Sequence, residues 1–168
     1  MSSFFKTVEK RRSIRSFSEK PVEKLKVQKI LRAAWMSPSA KGSQNFKVFL
    51  VEDPKKKERL VKATYGQEYV NSSLVLVFCS DPKRIKFMGT RGKNLLSVQD
   101  ATIAASYAQL AATALGLSSV WIGHFQEKAV ANILHTRLRP VAIIPIGYAN
   151  EKPPKKTNQK IKDLFKKI

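Results

Sequence analysis

Cysteine occurs once in the 168 residues, at Cys79, and histidine only twice, at His124 and His135. That excludes an internal disulfide framework and a multi-cysteine zinc site, and it leaves too few ligands for a typical metal centre. No apolar run reaches the 18 or so residues a membrane span needs. The N-terminus lacks the charged-then-apolar order of a secretory leader, because Phe4-Phe5 is followed at once by Lys6. With 7 Gly, 8 Pro and 43% apolar residues, the composition is neither collagen-like nor low-complexity. A soluble cytoplasmic protein is expected, with residues 1–168 as a single domain. Familiar catalytic signatures are missing too: there is no G-x-S-x-G elbow and no G-x-G-x-x-G turn. The segment GTRGKN (89–94) suggests a phosphate loop, but Asn94 stands where Ser or Thr would bind Mg²⁺. With neither a catalytic set nor metal ligands, chemistry is expected to come from a bound organic cofactor.

Acidic residues are also scarce, 12 Asp+Glu against 32 Lys+Arg, for a formal net charge of +20. The excess is unevenly spread. Residues 94–127 hold no Lys or Arg, and Asp100 and Glu127 are their only formal charges. A dry centre inside a basic shell describes a folded protein with a basic surface, not a nucleic-acid-coating tail. Nucleic-acid binding is disfavoured because no basic motif is interleaved with aromatics. Attraction of anionic small molecules by the summed field remains open.

The apolar periodicity predicts a helix to about Lys10, with Phe4, Phe5 and Val8 on one face. A second helix is predicted over 23–36, with Leu25, Ile30, Leu31, Ala34 and Trp35 as its apolar stripe. Strands are predicted at 46–53, 73–80, 118–123 and 141–149, the last marked by Pro145 as bulged or at an edge. Asp53-Pro54 starts a helix to about residue 63, and another is predicted over 127–135. The segment 98–115 carries seven alanines, has almost no polar face and stops at Gly116. It reads as the central buried packing helix and as a candidate subunit interface. Residues 150–168 read as an extended arm ending in a short helix, with Ile161, Leu164 and Phe165 on one side. The fold class is α+β, three layers around a sheet of four or five strands.

Three segments could hold a ligand. RRSIR (11–15) packs three guanidiniums and a hydroxyl into five residues, and arginine suits bidentate phosphate recognition. SPSAKGSQ (37–44) offers small side chains and free backbone N–H groups to the edge of a planar ligand. WIGHF (121–125) ends a strand on a glycine, where α/β ligands tend to bind. The order of these segments resembles the FMN-dependent nitroreductases of the short, single-domain type. RRSIRSF (11–17), SPSAKGSQNF (37–46), the block QDATIAASYAQLAATALGL (99–117) with WIGHF, and VAIIPIGYANEKPPKK (141–156) look like that family's successive motifs.

The resemblance implies a mixed sheet flanked by helices in an intertwined homodimer, with FMN at the interface. By motif position, Arg11, Arg12, Ser13 and Arg15 would hold the phosphate and the pyrimidine side of the flavin. Pro38, Ser39 and Ala40, with Gln44 near, would contact flavin of the other subunit. Ile122, Gly123 and His124 would lie at the flavin edge, and Lys155 and Lys156 would assist at the phosphate. It further implies hydride transfer from NAD(P)H through the flavin to a nitroaromatic, quinone or similar small-molecule acceptor, with no catalytic side chain and no metal. Other flavin reactions of the superfamily, or FMN retention without turnover, stay open. The chain departs from the motifs at Gly42, usually Asn; at Asn45-Phe46, usually Pro-Trp; at His124, often Ala; and at Asn158, usually Arg.

Overall fold

The computed structural model describes residues 3–86, 88–153, 155 and 166. Lys156, Asn158 and the apolar residues expected to end the arm lie outside them. In chain order the elements are α1 (Ser3–Lys10), α2 (Lys24–Trp35), β1 (Phe46–Val51), α3 (Pro54–Ala63), β2 (Leu74–Ser80), α4 (Gly89–Arg91), α5 (Ser97–Ala114), β3 (Ser118–Ser119), α6 (Glu127–Ile133) and β4 (Arg139–Gly147). A π-helical turn, Gly92–Leu96, joins α4 to α5. Short 3₁₀ turns occupy Ala40–Gly42 and Glu68–Asn71.

The sheet order is β1-β2-β4-β3, and every ladder between these strands is antiparallel. Among the described residues the parallel pairing is one isolated bridge, Ser13 to Ser119, so the sheet expected as mixed is antiparallel in its ladders. β1 carries no strand on its outer side among the described residues. β2 is buried along its whole length because both faces are covered, as its unbroken apolar run implies. Leu74, Leu76 and Phe78 face one core with Ile30 and Ala34 of α2 and the alanines of α5. Val75, Val77 and Cys79 face the other, with Leu60, Val61 and Ala63 of α3 and Val130 and Ile133 of α6. The period-2 alternation of the strand therefore feeds two cores, and the result is three layers. Asp53 caps α3 by accepting the Lys55 backbone N–H at 2.9 Å, with Pro54 at the first turn.

Three expectations are corrected. The strand expected over 118–123 is reduced to Ser118–Ser119 plus a bridge from Ile122 to Ile143. Pro145 is the reason. Val120 donates to the Pro145 carbonyl at 3.3 Å, but proline has no N–H to return the bond, so the ladder is interrupted. The missing donor faces the short β3 edge and costs the β2 pairing nothing. Second, α5 is buried on one face only. Ala101, Ala104, Ala105, Ala108 and Ala112 face the core formed with the sheet and α2, whereas Ile103, Tyr107, Leu110 and Ala114 reach the surface, because among the described residues nothing is laid over the outer side of the helix. Third, the α2 stripe divides: Ile30 and Ala34 are buried, but Leu25 and Trp35 are 62% and 65% exposed. Phe4 of α1, Ala33 of α2 and Tyr107, Leu110, Ala111 and Ala114 of α5 border one apolar surface groove.

Candidate functional site

The arginine segment follows α1 and is fixed through its backbone. Ser13 bridges to Ser119, and Ile14 donates its N–H to the Ser119 carbonyl at 3.2 Å. Further on, Ser18 donates to the Tyr148 carbonyl and Asn150 to the Ser16 carbonyl, both at 2.9 Å. The Glu151 carboxylate accepts the N–H groups of both Arg15 and Ser16. So Glu151, at the root of the C-terminal arm, clasps the segment from the other side. The side chains differ in use. The Arg12 guanidinium donates to the carbonyls of Glu9 and Arg11 and closes the end of α1. Among the described residues, Arg11 and Arg15 have no ion pair or hydrogen bond to their guanidiniums, and Arg15 is exposed. Two cations on a pinned backbone are thus left for an anion.

The loop after α2 is organised by one carboxylate. Asp100 of α5 is only 3% exposed. It accepts the Ala40 N–H, shared between its two oxygens at 3.1 and 3.2 Å, and the Asn45 amide at 2.7 Å. The Ser39 hydroxyl accepts the Gln44 N–H at 2.9 Å, and the Ser43 hydroxyl donates to the Ala40 carbonyl at 2.7 Å. The bend places Lys41, Gly42 and Gln44 at φ of +53°, +64° and +41°. Gly42 stands where the resembling loop carries asparagine, and both residues tolerate this left-handed conformation, so the departure preserves the turn. Pro38, Ser39 and Ala40 border a shallow recess of about 500 Å³ with Gln99, Asp100 and Ile103.

At the end of the interrupted strand, Ile122 is committed to the fold. Its side chain is 2% exposed, and both its backbone groups bond Ile143, at 3.0 and 3.1 Å. Gly123 and His124 are exposed, and neither donates its backbone N–H to a described residue. A Cβ on Gly123 would come 3.3 Å from Nε1 of Trp121, tight enough to displace the indole. The His124 ring stacks on Tyr65, with centroids 4.5 Å apart and planes 20° from parallel.

The structure therefore gathers the expected residues into two groups. Ser13 lies against Ser119, so the arginine segment and the Trp121–Phe125 segment leave the same edge of the sheet. Pro38, Ser39 and Ala40 form the second group around Asp100, in a recess that the arginines do not line. Lys155 is exposed, and Lys156 lies outside the described residues. Sequence reasoning missed Asp100, Asn45 and Glu151 as positioning residues. The available signal was Asp100 itself, an acid alone in a stretch without a single cation. Among the described residues no cluster of three or more metal-ligating side chains occurs, and no helix is long and apolar enough to cross a membrane.

Residues 8–73 and 67–148 match the model of the nitroreductase family. The chain belongs to the nitroreductase family. A protein of Archaeoglobus fulgidus whose name pairs NADH dehydrogenase with NAD(P)H nitroreductase is 32% identical over 158 residues, spanning 90% of this chain and 88% of its own. An FMN reductase (NAD(P)H) of Bacillus subtilis is 30% identical over 173 residues, covering 93% of this chain and 70% of that one. Among solved structures, nitroreductase A from Vibrio parahaemolyticus superposes with a TM-score of 0.91 at 26% identity, over 99% of this chain and 76% of that one. The nitroreductase fold is thus shared by the described residues, and the α+β expectation holds.

Proposed function

We propose that this nitroreductase-family chain is an NAD(P)H-dependent FMN oxidoreductase, and that residues 1–168 form one domain that works as a homodimer. The observation that carries the reading is the pair of unpartnered guanidiniums, Arg11 and Arg15, on a backbone pinned by Ser119 and Glu151. That donor set fits a phosphate monoester. The open N–H groups of Gly123 and His124 fit the polar edge of a flavin ring, and the loop at Pro38–Ala40 fits its flat, apolar border. The names of the relatives support the same cofactor and electron donor.

FMN held by Arg11, Arg15, Gly123 and His124 would supply hydride-transfer chemistry between NAD(P)H and an electron-poor acceptor, such as a nitroaromatic or quinone, in a ping-pong cycle. This chain's residues bind and orient. Arg11 and Lys155 would neutralise the phosphate, the Ser13 hydroxyl would donate to it, and Arg15 would favour negative charge on the ring. Gly123 and His124 hold the ring edge through main-chain donors. Asp100 keeps Ala40 and Asn45 in place, so the Pro38–Gln44 loop presents a fixed surface. Because the two groups of site residues lie apart within one chain, a second copy is needed to complete the site. The exposed apolar residues of α1, α2 and α5 supply the surface for that copy.

The visible spectrum of the purified protein tests the reading. A yellow preparation that bleaches with NADH or NADPH without oxygen supports it, and a colourless one that FMN cannot restore overturns it. Arg11→Ala should weaken FMN binding far more than Lys55→Ala, a substitution of an exposed lysine on α3. Equal effects would mean that general surface charge holds the ligand.

A further inference from the structure

A net charge of +20 is far more than one FMN phosphate needs, and the two outer layers of the fold differ in what they expose. The layer of α1, α2 and α5 shows the apolar side chains of Phe4, Leu25, Trp35 and Tyr107, which suit a second copy. The opposite layer, α3 and α6, carries none of the exposed large apolar residues. Arg59 and Lys62 of α3 instead border a groove of about 400 Å³ with Gln126, at the start of α6, and Asn132. Asn132 also borders a second groove, of about 450 Å³, with His135, Thr136 and Arg137. The two grooves therefore run together as one track from Lys62 to Arg137. Among the described residues no carboxylate borders either of them.

The acids of this layer are engaged elsewhere. Glu127 of α6 is held by Arg139 through two bonds, at 3.0 and 3.1 Å. Glu58 and Glu68 border a separate groove beside Tyr65, which Lys62 also reaches. Among the described residues Arg59, Lys62 and Arg137 have no ion pair or hydrogen bond from their side chains. Lys57 shows the contrast, since its ammonium is folded in and donates to the Ser72 carbonyl at 2.9 Å. Ala63, Ala129 and Ile133 floor the first groove, so its two cations stand over an apolar wall that focuses their field outward. A face built for solubility alone mixes both signs. A track bordered by cations and amides without an acid complements a run of negative charge.

We propose that the α3–α6 track is a docking surface for duplex DNA, which it contacts through the phosphate backbone without regard to sequence. Guanidinium, ammonium and amide donors are the groups that meet phosphate oxygens, and such contacts carry no base information. The lack of aromatics interleaved with the cations tells against stacking on single-stranded bases and leaves backbone contact to a duplex untouched. In a homodimer joined through the apolar layer, the two tracks face outward and stay open. The proposal is independent of the FMN reading, because it uses no residue of the cofactor site.

The test is fluorescence anisotropy of a labelled, random-sequence DNA duplex of about 24 base pairs, titrated with the full chain between about 50 and 200 mM NaCl. The triple variant Arg59→Gln, Lys62→Gln, Arg137→Gln should lose roughly tenfold in affinity and about two to three units of the log–log salt slope. Its control removes the same charge elsewhere, by Lys83→Gln, Lys86→Gln and Lys93→Gln between β2 and α5, and should lose less than about threefold. All six residues are exposed, and circular dichroism checks that both variants fold. Saturating FMN should leave the duplex bound. Equal losses in the two variants would mean that net charge alone acts, and would overturn the proposal. So would displacement by FMN, or no binding at about 100 mM salt. Poly-glutamate that binds tighter than the duplex at equal charge would assign the track to an acidic protein and overturn it as well. A colourless protein that FMN cannot restore defeats the oxidoreductase reading instead, and the titration still decides whether the track holds DNA.

Discussion

Replacing Asp100 by alanine gives the sharpest test of how the loop after α2 is held. The side chain is buried and serves two donors, the Ala40 N–H and the Asn45 amide. A hydrogen bond to a charged partner is worth about 1.5–3 kcal/mol, and relief of carboxylate burial offsets part of the sum. The net loss should be about 3 kcal/mol, or about 6–12 °C in Tm for a domain of this size. Asp100→Asn keeps one acceptor oxygen but turns an amide toward a donor, so it should lose about half as much. Denaturant unfolding followed by circular dichroism, at one fixed protein concentration, measures both. The control is Asp53→Ala, which removes the cap of α3 for about 1 kcal/mol at a place remote from the loop. Asp100→Ala should also weaken FMN binding, and Asp53→Ala should not. Stability within about 0.5 kcal/mol of the parent would refute the energetic argument. Unchanged FMN affinity would refute the link from the carboxylate to the ligand-facing loop.

Other consequences can be checked directly. Burial pushes the Cys79 thiol up to about 12, so it should resist a disulfide reagent at pH 8 until the protein is unfolded, and rapid native labelling would contradict that burial. The Tyr148 hydroxyl, bonded to Glu23 at 2.7 and 2.8 Å, is the main cause holding that carboxyl down to about 2, with Lys26 assisting. The contribution of Glu23 to stability is therefore complete above pH 4.5 and lost as pH falls from there toward 2; Tyr148→Phe should flatten that part of the Tm profile, and identical profiles would discount the bond. A Cβ on Gly92 would meet Cβ of Met88 at 2.5 Å, so Gly92→Ala should cost about 1–3 kcal/mol, read from the denaturant midpoint, and a neutral result would show that the π turn yields.

The layers were legible because burial writes itself into periodicity. The unbroken run of β2 announced a strand covered twice, and Asp53-Pro54 announced the start of α3. What escaped depended on partners distant in the chain. That α5 shows a second apolar face to the surface depends on what one chain can lay against it, which no local pattern records. Pro145 marks a disturbance in the sequence, but which neighbouring strand loses a bond depends on sheet order. The arginines of the site were visible as a cluster. That Arg12 is spent on the end of α1 while Arg11 and Arg15 stay open is decided by the backbone turn between them. Glu151 meets Arg15 across 136 positions of sequence, and nothing short-range connects the two.

The outer edge of β1, which carries no strand among the described residues, has a consequence for handling the protein. Its sequence, FKVFLV, is six residues of high β propensity interrupted by a single lysine, and Leu50 is 40% exposed in the folded chain. Such an edge templates further strands once neighbouring structure loosens, and Lys47 alone guards it. Heating should therefore end in precipitation before unfolding reaches equilibrium. Apparent melting temperatures should then rise with scan rate, so that thermal tolerance is a lifetime set by the opening of this edge, and a charge placed at Phe49 should lengthen it.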